Sequence, residues 1–361
     1  MPEYAILILP AANRVYHDVS PRLLRAELEI LGDTALSQPV TEIEQREIAG
    51  TEYVTFATEH PLTEDDVAHL SDLSSMYVLF EVAGALLRPI RTSPLAWFDS
   101  DLLTIQKYPG KTNELFTKLL LNITLLAAGR ATTLRDAPAH VLDPLCGRGT
   151  TLNHAMMYGC DATGFEVDGR DFEAYEQFVK TWLRTKRVKH SAEAGAVRRN
   201  KVRLGRKLDI EFGLTKERYK AGETRSLTYY NCDTLTIDQL LKRDSVDVIV
   251  TDAPYGVQHG SRAAGSGPVR SPRELLAAAV PGWTRVLRPG GAIGISWNTN
   301  VAKREELTEI LAGAGLRVRA GGPYDQLEHR VDQAILRDLI VAVKEVPHEG
   351  RGETHRDQSA R

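Results

Sequence analysis

The sequence predicts an α/β protein, an open and mostly parallel sheet with helices on both faces, preceded by a small α+β unit. Three observations carry this. Short apolar runs alternate with amphipathic stretches from residue 140 to 343, the signature of βαβ units. A glycine-rich turn, Cys146-Gly-Arg-Gly-Thr150, follows one such run. The first 106 residues differ in charge from the rest: no lysine and six arginines against seventeen acids, a net of −11, which leaves +8 for the remainder of a chain whose total is −3.

The elements follow in order. Tyr4–Leu9 and Tyr53–Ala57 read as strands. Pro21–Leu31 reads as a helix with Ser20 as N-cap, Pro21 at its first position and Gly32 as C-cap. Glu64–Ser74 reads as a helix capped by Thr63. Lys107–Asn113 is a loop that opens an apolar helix from Glu114 to Leu126. Strands are then expected at 140–142, 162–166, 227–230, 246–250, 292–297, 316–320 and 334–343, with helices at 150–158, 171–182, 237–241, 272–287 and 301–314. Residues 1–106 thus form an acidic α+β unit and 107–346 the larger α/β unit. Residues 347–361, charged and poor in apolar side chains, read as a disordered tail.

Composition excludes several classes. With 42% hydrophobic and 26% charged residues the chain is ordinary for a globular protein. No apolar run reaches the roughly 18 residues a membrane span needs, and the first residues lack the basic start of a secretory signal. Cys146, Cys160 and Cys232 have no metal-ligand spacing and argue for a reducing, cytoplasmic setting without a metal site. Within 184–225, fourteen Lys or Arg face five acids, a net of +9. That segment either tracks a polynucleotide backbone, with Arg198, Arg199, Lys201 and Arg203 the leading contacts and Arg206-Lys207 and Tyr219 nearby, or is a solvated insertion. The acidic first unit repels phosphate and is better suited to a protein partner.

The chemistry sits in two motifs. Asp143-Pro-Leu-Cys146-Gly147-Arg-Gly149-Thr150-Thr151 forms a glycine turn between strand and helix, where backbone N–H groups approach a ligand. A dinucleotide fingerprint requires a small residue where Leu152 stands, so that reading is poor. Glu166 ends the next strand and is placed to accept from a ribose diol, with Asp168 its neighbouring alternative, while Asp233 ends a third and can accept from an adenine amine. The second motif is Asp252-Ala253-Pro254-Tyr255, again at a strand end. A carboxylate and a peptide carbonyl that accept both N–H bonds of an aryl amine draw its nitrogen toward tetrahedral geometry and free its lone pair for methyl transfer. An aromatic at Tyr255 can stack on a rotated base. His259 and Arg262, in the Gly- and Ser-rich stretch 256–268, are candidate substrate contacts in a mobile lid.

In these two motifs the chain resembles the tRNA guanine-N2 methyltransferases, in which a small N-terminal domain, sometimes of THUMP type, precedes the catalytic one. The resemblance covers roughly residues 107–345 and implies a Rossmann-like class I methyltransferase fold with S-adenosyl-L-methionine as cofactor. That family carries Asp-Pro-Pro-Tyr, often followed by Gly; here Asp252, Pro254, Tyr255 and Gly256 match and Ala253 replaces the first proline. The replacement keeps the carbonyl but adds an N–H and is expected to loosen the backbone. By resemblance Thr112 and Asn113 would lie near the cofactor; a helix N-cap at Asn113 is the alternative. The leading expectation is methylation of an exocyclic base amine in RNA, guanine N2 of tRNA first. The same motifs fit adenine N6 or cytosine N4 of DNA, and a protein that binds S-adenosylmethionine without catalysis is the third reading.

Overall fold

The computed structural model describes residues 1–11, 13–254 and 271–346. Tyr255, His259, Arg262, the expected lid and the expected tail lie outside the described residues. The first unit contains β1 (Glu3–Ile8), α1 (Arg14–Thr34), β2 (Thr41–Ile48), β3 (Thr51–Ala57), α2 (Glu64–Leu70), β4 (Met76–Ala83), β5 (Leu86–Ile90) and a short α3 (Asp101–Thr104). Its five strands pair antiparallel in the order β2-β3-β1-β4-β5.

Helix α1 starts seven residues before the sequence suggests, at the N-cap Asn13, and Pro21 lies inside it. Proline in a helix normally leaves the carbonyl four residues earlier without its donor. Here that carbonyl, on His17, accepts from the Ser20 hydroxyl at 2.9 Å, so Ser20 is not a cap but a substitute donor. Gly32 is likewise no C-cap. It sits within α1, and a Cβ there would meet Val40 Cγ2 at 2.5 Å, so close packing against the following segment explains it. Thr63 does cap α2, through a capping box with Asp66, and the helix ends at Leu70 rather than Ser74.

The second unit continues with α4 (Glu114–Ala127), β6 (His140–Asp143), α5 (Thr150–Met157), β7 (Asp161–Phe165), α6 (Gly169–Thr185), β8 (His190–Arg199), β9 (Val202–Gly213), α7 (Lys216–Lys220), β10 (Thr224–Asn231), α8 (Ile237–Leu240), β11 (Val246–Asp252), α9 (Pro272–Val286), β12 (Leu287–Asn298), α10 (Arg304–Gly313), β13 (Leu316–Val318), a two-residue β14 (His329–Arg330) and β15 (Leu336–Lys344). The sheet runs β13-β15-β12-β11-β6-β7-β10-β9-β8. Its five central strands, from β12 to β10, are parallel, and the strands beyond them on either side are antiparallel.

The chain enters this sheet at β6, builds outward through β7 and β10, then returns to build β11 and β12 on the other side. The order reverses between β6 and β11, and a crevice opens at the carboxyl ends of strands flanking such a point. This central parallel sheet with an antiparallel seventh strand, β15, inserted beside β12 is the class I methyltransferase arrangement. Alternate residues of the parallel strands feed two cores. Val141 and Val248 pack with α4, α5 and α6, whereas Leu142 and Ile249 pack with α9 and α10. The basic insertion is folded: β8 and β9 form a hairpin laid on β10, closed by a turn in which Asn200 and Lys201 have φ of 49° and 66°.

The two units share the first core, α1 packing on α4. Glu27 of α1 is fully buried there. Its carboxylate accepts from Ser74 N (2.9 Å), Ser74 Oγ (2.5 Å) and Asn122 Nδ2 (2.7 Å), and Asn122 in turn accepts from Tyr158 Oη (2.7 Å). Lys118 Nζ donates to Leu73 O (3.2 Å), and Arg135 donates to Ala68 O, Asp72 and Ser93 O. Burial pushes the Glu27 carboxyl up and the Lys118 ammonium down. No helix of the described residues is long and apolar enough to cross a membrane.

Candidate active site

The glycine turn occupies the crevice beside β6. Gly147 and Gly149 have φ of 49° and 78°, which an L side chain resists, and a Cβ on Gly149 would fall 2.3 Å from the Tyr175 ring. The turn is braced from below: Cys146 N donates to Phe165 O (2.9 Å), Gly149 N to Cys146 O (2.8 Å), and Tyr229 Oη to Gly147 O (2.5 Å). Cys146 acts through its backbone; its thiol is buried, which pushes its pKa well up. Cys160 and Cys232 are likewise buried free thiols. Thr150 opens α5, whose first turn presents its amino end to the crevice.

Carboxylates stand at or just past the ends of three adjacent parallel strands. Asp143 ends β6, is 3% exposed and accepts from Leu145 N (3.1 Å); burial pushes its pKa up to about 7. Glu166 follows β7 and accepts from Gly147 N (3.1 Å) and Asp168 N (2.8 Å), so it ties the glycine turn to the second strand. Burial raises its pKa too. Asp168 caps α6, accepting from Arg170 N (2.8 Å). Asp233 follows β10, is exposed, and accepts from Leu235 N (2.9 Å). A left-handed glycine cradle ringed by acceptors fits a ligand rich in donors, as the ammonium, ribose diol and adenine amine of S-adenosylmethionine are.

Asp252 ends β11, directly across the switch point from Asp143. Thr112 Oγ1 donates to its Oδ2 (2.6 Å), Ser296 Oγ to its Oδ1 (2.6 Å), and an Arg337 guanidinium nitrogen lies 3.5 Å from Oδ2. Both carboxylate oxygens are therefore held by donors from other elements. Ala253 is buried, and its N–H donates to Ser296 O at 2.8 Å. The expected loosening is therefore overturned: the N–H that proline lacks is used to fasten the segment to β12. Pro254 is exposed.

The loop 107–113 joins the two sites. At one end Tyr108 Oη lies 3.4 Å from Thr150 Oγ1, and the Arg148 guanidinium sits 4.7 Å from the Tyr108 ring centroid. At the other, Thr112 holds Asp252. Asn113 is the N-cap of α4, its side chain accepting from Leu115 N and Phe116 N. Sequence reasoning missed Ser296 and Arg337. Their signal was Ser296 inside the otherwise apolar run Ala292–Trp297 and the pair Arg337-Asp338 at the start of the apolar run that ends at Val343.

The basic residues divide. Arg198, Arg199, Lys201 and Arg203 are exposed at the β8–β9 tip, which the pairing of Arg206 with Asn231 places beyond the carboxyl end of β10. Arg206, by contrast, is structural. It stacks 4.5 Å from the Phe172 ring centroid and donates to Glu173, Gly169 O and Asn231. Lys207 pairs with Asp209 at 2.5 Å, and Tyr219 packs against Gly213.

Residues 126–278 match the family model described as RMKL-like, methyltransferase domain. No curated protein matches the sequence. Among solved structures, the chain is similar to the 1,6-didemethyltoxoflavin-N1-methyltransferase of Burkholderia thailandensis, solved with S-adenosylhomocysteine (14% identity, 61% of this chain and 77% of that one, TM-score 0.34). It is also similar to a TehB-like SAM-dependent methyltransferase of Corynebacterium glutamicum (16% identity, 59% and 85%, TM-score 0.33). The fold assignment rests on strand order and the cofactor on the matched domain and the cradle: the chain carries a class I methyltransferase domain that uses S-adenosylmethionine.

Proposed function

We propose that this methyltransferase acts on an exocyclic amine of a base in RNA, with guanine N2 of tRNA the leading target. The observation that carries the reading is Asp252, an acceptor fixed through both oxygens at the end of β11 and linked by one short loop to the glycine cradle. When bound, S-adenosylmethionine supplies an electrophilic methyl group. The chain's own residues do the rest. Asp252 accepts one N–H of the target amine, and the carbonyl of the Ala253–Pro254 peptide is placed in sequence to accept the other. Drawing both hydrogens away localises the nitrogen lone pair, and the carboxylate stabilises the positive charge that grows on nitrogen. Thr112 and Ser296 hold Asp252 in one rotamer, so little reorganisation is needed at transfer. Tyr255 would stack on the base.

RNA is favoured over a small molecule by the four exposed cations at the β8–β9 tip. The test is transfer of tritium from labelled S-adenosylmethionine to total tRNA, rRNA and genomic DNA. Label in tRNA or rRNA is expected. Label in DNA alone replaces the RNA reading with the DNA one, and label in none despite cofactor binding replaces it with a small-molecule or non-catalytic role.

A further inference from the structure

Where α1, α4 and the segment before β15 meet, a cavity of about 240 Å³ opens at the seam between the two units. It adjoins Asp252, because two of its wall residues, Thr112 and Arg337, are those that hold the Asp252 carboxylate. Its lining favours an anion. The starts of two long helices face it: the N-cap Asn13 with Val15 and Tyr16 of α1, and Lys111 to Glu114 leading into α4. Both helices therefore direct their positive ends at one space. Arg330 adds a positive charge; Arg337 adds another that it shares with Asp252 at 3.5 Å, and Lys111 is matched by Glu114 at 2.5 Å.

One wall residue asks for something else. His329 is 3% exposed and its Nδ1–H donates to Leu327 O at 3.0 Å, while its Nε2 has no hydrogen-bond partner among the described residues. Burial, with Arg337 and Arg22 nearby, pushes its pKa down to about 4, outweighing Asp252, which acts the other way. The ring is therefore neutral at pH 7, and Nε2 carries a lone pair. A buried acceptor without a donor is unfavourable, so the cavity suits a ligand with both an anion and a hydroxyl.

We infer that this cavity seats a ribose phosphate unit of the substrate strand beside the target base, its phosphate toward Arg330, Arg337 and the two helix ends and its 2′-hydroxyl donating to His329. This deepens the proposed function and rests on its RNA reading, since the 2′-hydroxyl is what separates RNA from DNA. The seam would then place a strand so that its neighbouring base reaches Asp252. That gives the N-terminal unit a part in substrate binding despite its acidity.

The full-length protein is titrated with ribose 5-phosphate, 2-deoxyribose 5-phosphate and inorganic phosphate, each followed by nuclear magnetic resonance at low salt. Arg330 is exposed and, among the described residues, its side chain bonds only Asp332 O at 3.0 Å, so Arg330→Glu is compatible with folding. Ribose 5-phosphate is expected to bind at least threefold more tightly than the deoxy sugar, and Arg330→Glu to weaken both at least tenfold. No binding by any of the three, or equal binding by Arg330→Glu, overturns the site. Equal affinity for the two sugars overturns the role of His329. The titration contains neither methyl donor nor RNA, so its failure leaves the transfer assay to judge the methyltransferase reading separately. In the transfer assay, Arg330→Glu should raise KM for RNA at least tenfold, with a smaller effect on kcat and none on cofactor affinity; an unchanged KM overturns the site as well.

Discussion

The catalytic sheet is flanked by two antiparallel additions of opposite charge, and they use charge differently. The N-terminal unit is acidic, yet at the seam Glu27 is buried against Asn122 of α4, and Asp72 pairs with the exposed Arg135 of the second unit. The β8–β9 hairpin is basic, and its four tip cations are exposed while Arg206, at its base, is absorbed into packing. A charge run in sequence is thus two things at once. Burial decides which residues are structure and which remain available to a partner.

The largest expected effect tests the premise that chemistry lies in neither addition but between them. Asp252→Ala should lower transfer by at least about 10³-fold while cofactor affinity stays within about twofold; retained transfer would remove Asp252 from the mechanism. At the seam, Glu27→Ala strands the donors of Ser74 and Asn122. Urea unfolding should show a loss of about 3 kcal/mol, and a loss under about 0.5 kcal/mol would mean the network is not what joins the units. At the hairpin tip, changing Arg198, Arg199, Lys201 and Arg203 together to Ala should leave stability within about 0.5 kcal/mol but reduce the salt slope of RNA binding by about 3. An unchanged slope makes the tip a solvated turn and erases the contrast.

A further test asks whether burial also rewrites charge inside the catalytic sheet. The folded pKa of Asp143 is raised from 3.8 to about 7. Folding therefore takes up a proton between those values, so its contribution is full below pH 4 and lost as pH rises to 7. The cofactor-free protein should lose at most about 4 kcal/mol over that window from this group, and Asp143→Asn should flatten the profile. An identical profile would show that Asp143 ionises at its ordinary pH.

Much of the catalytic fold was legible because buried parallel strands are continuous apolar runs and their helices carry a clear stripe. Val246–Val250 and Thr150–Tyr158 could hardly be anything else. The β8–β9 hairpin was missed because its charge run hid the alternation of Leu208, Ile210 and Phe212 in β9, while β8 is mostly exposed and owes its form to pairing with β9. Strands β2, β4 and β5 were missed as well: they are partly exposed and take their order from antiparallel neighbours. Helix α1 was shortened because Pro21 usually marks a start, and no local rule foretells that a serine hydroxyl will replace the missing donor.

The two motifs, their order and the glycine turn are local facts, set by residues within about ten positions of one another, and so the chain alone determined the class of chemistry. The surroundings of Asp252 are not local. Thr112 lies 140 residues away and Ser296 44, and they meet only because the parallel sheet brings the ends of β11 and β12 and the start of α4 to one crevice. The same holds for the cavity at the seam, whose walls come from α1, α4 and the approach to β15. Side-chain type is written in sequence, but hydrogen bonding and burial depend on distance, and distance between remote residues exists only once the chain has folded.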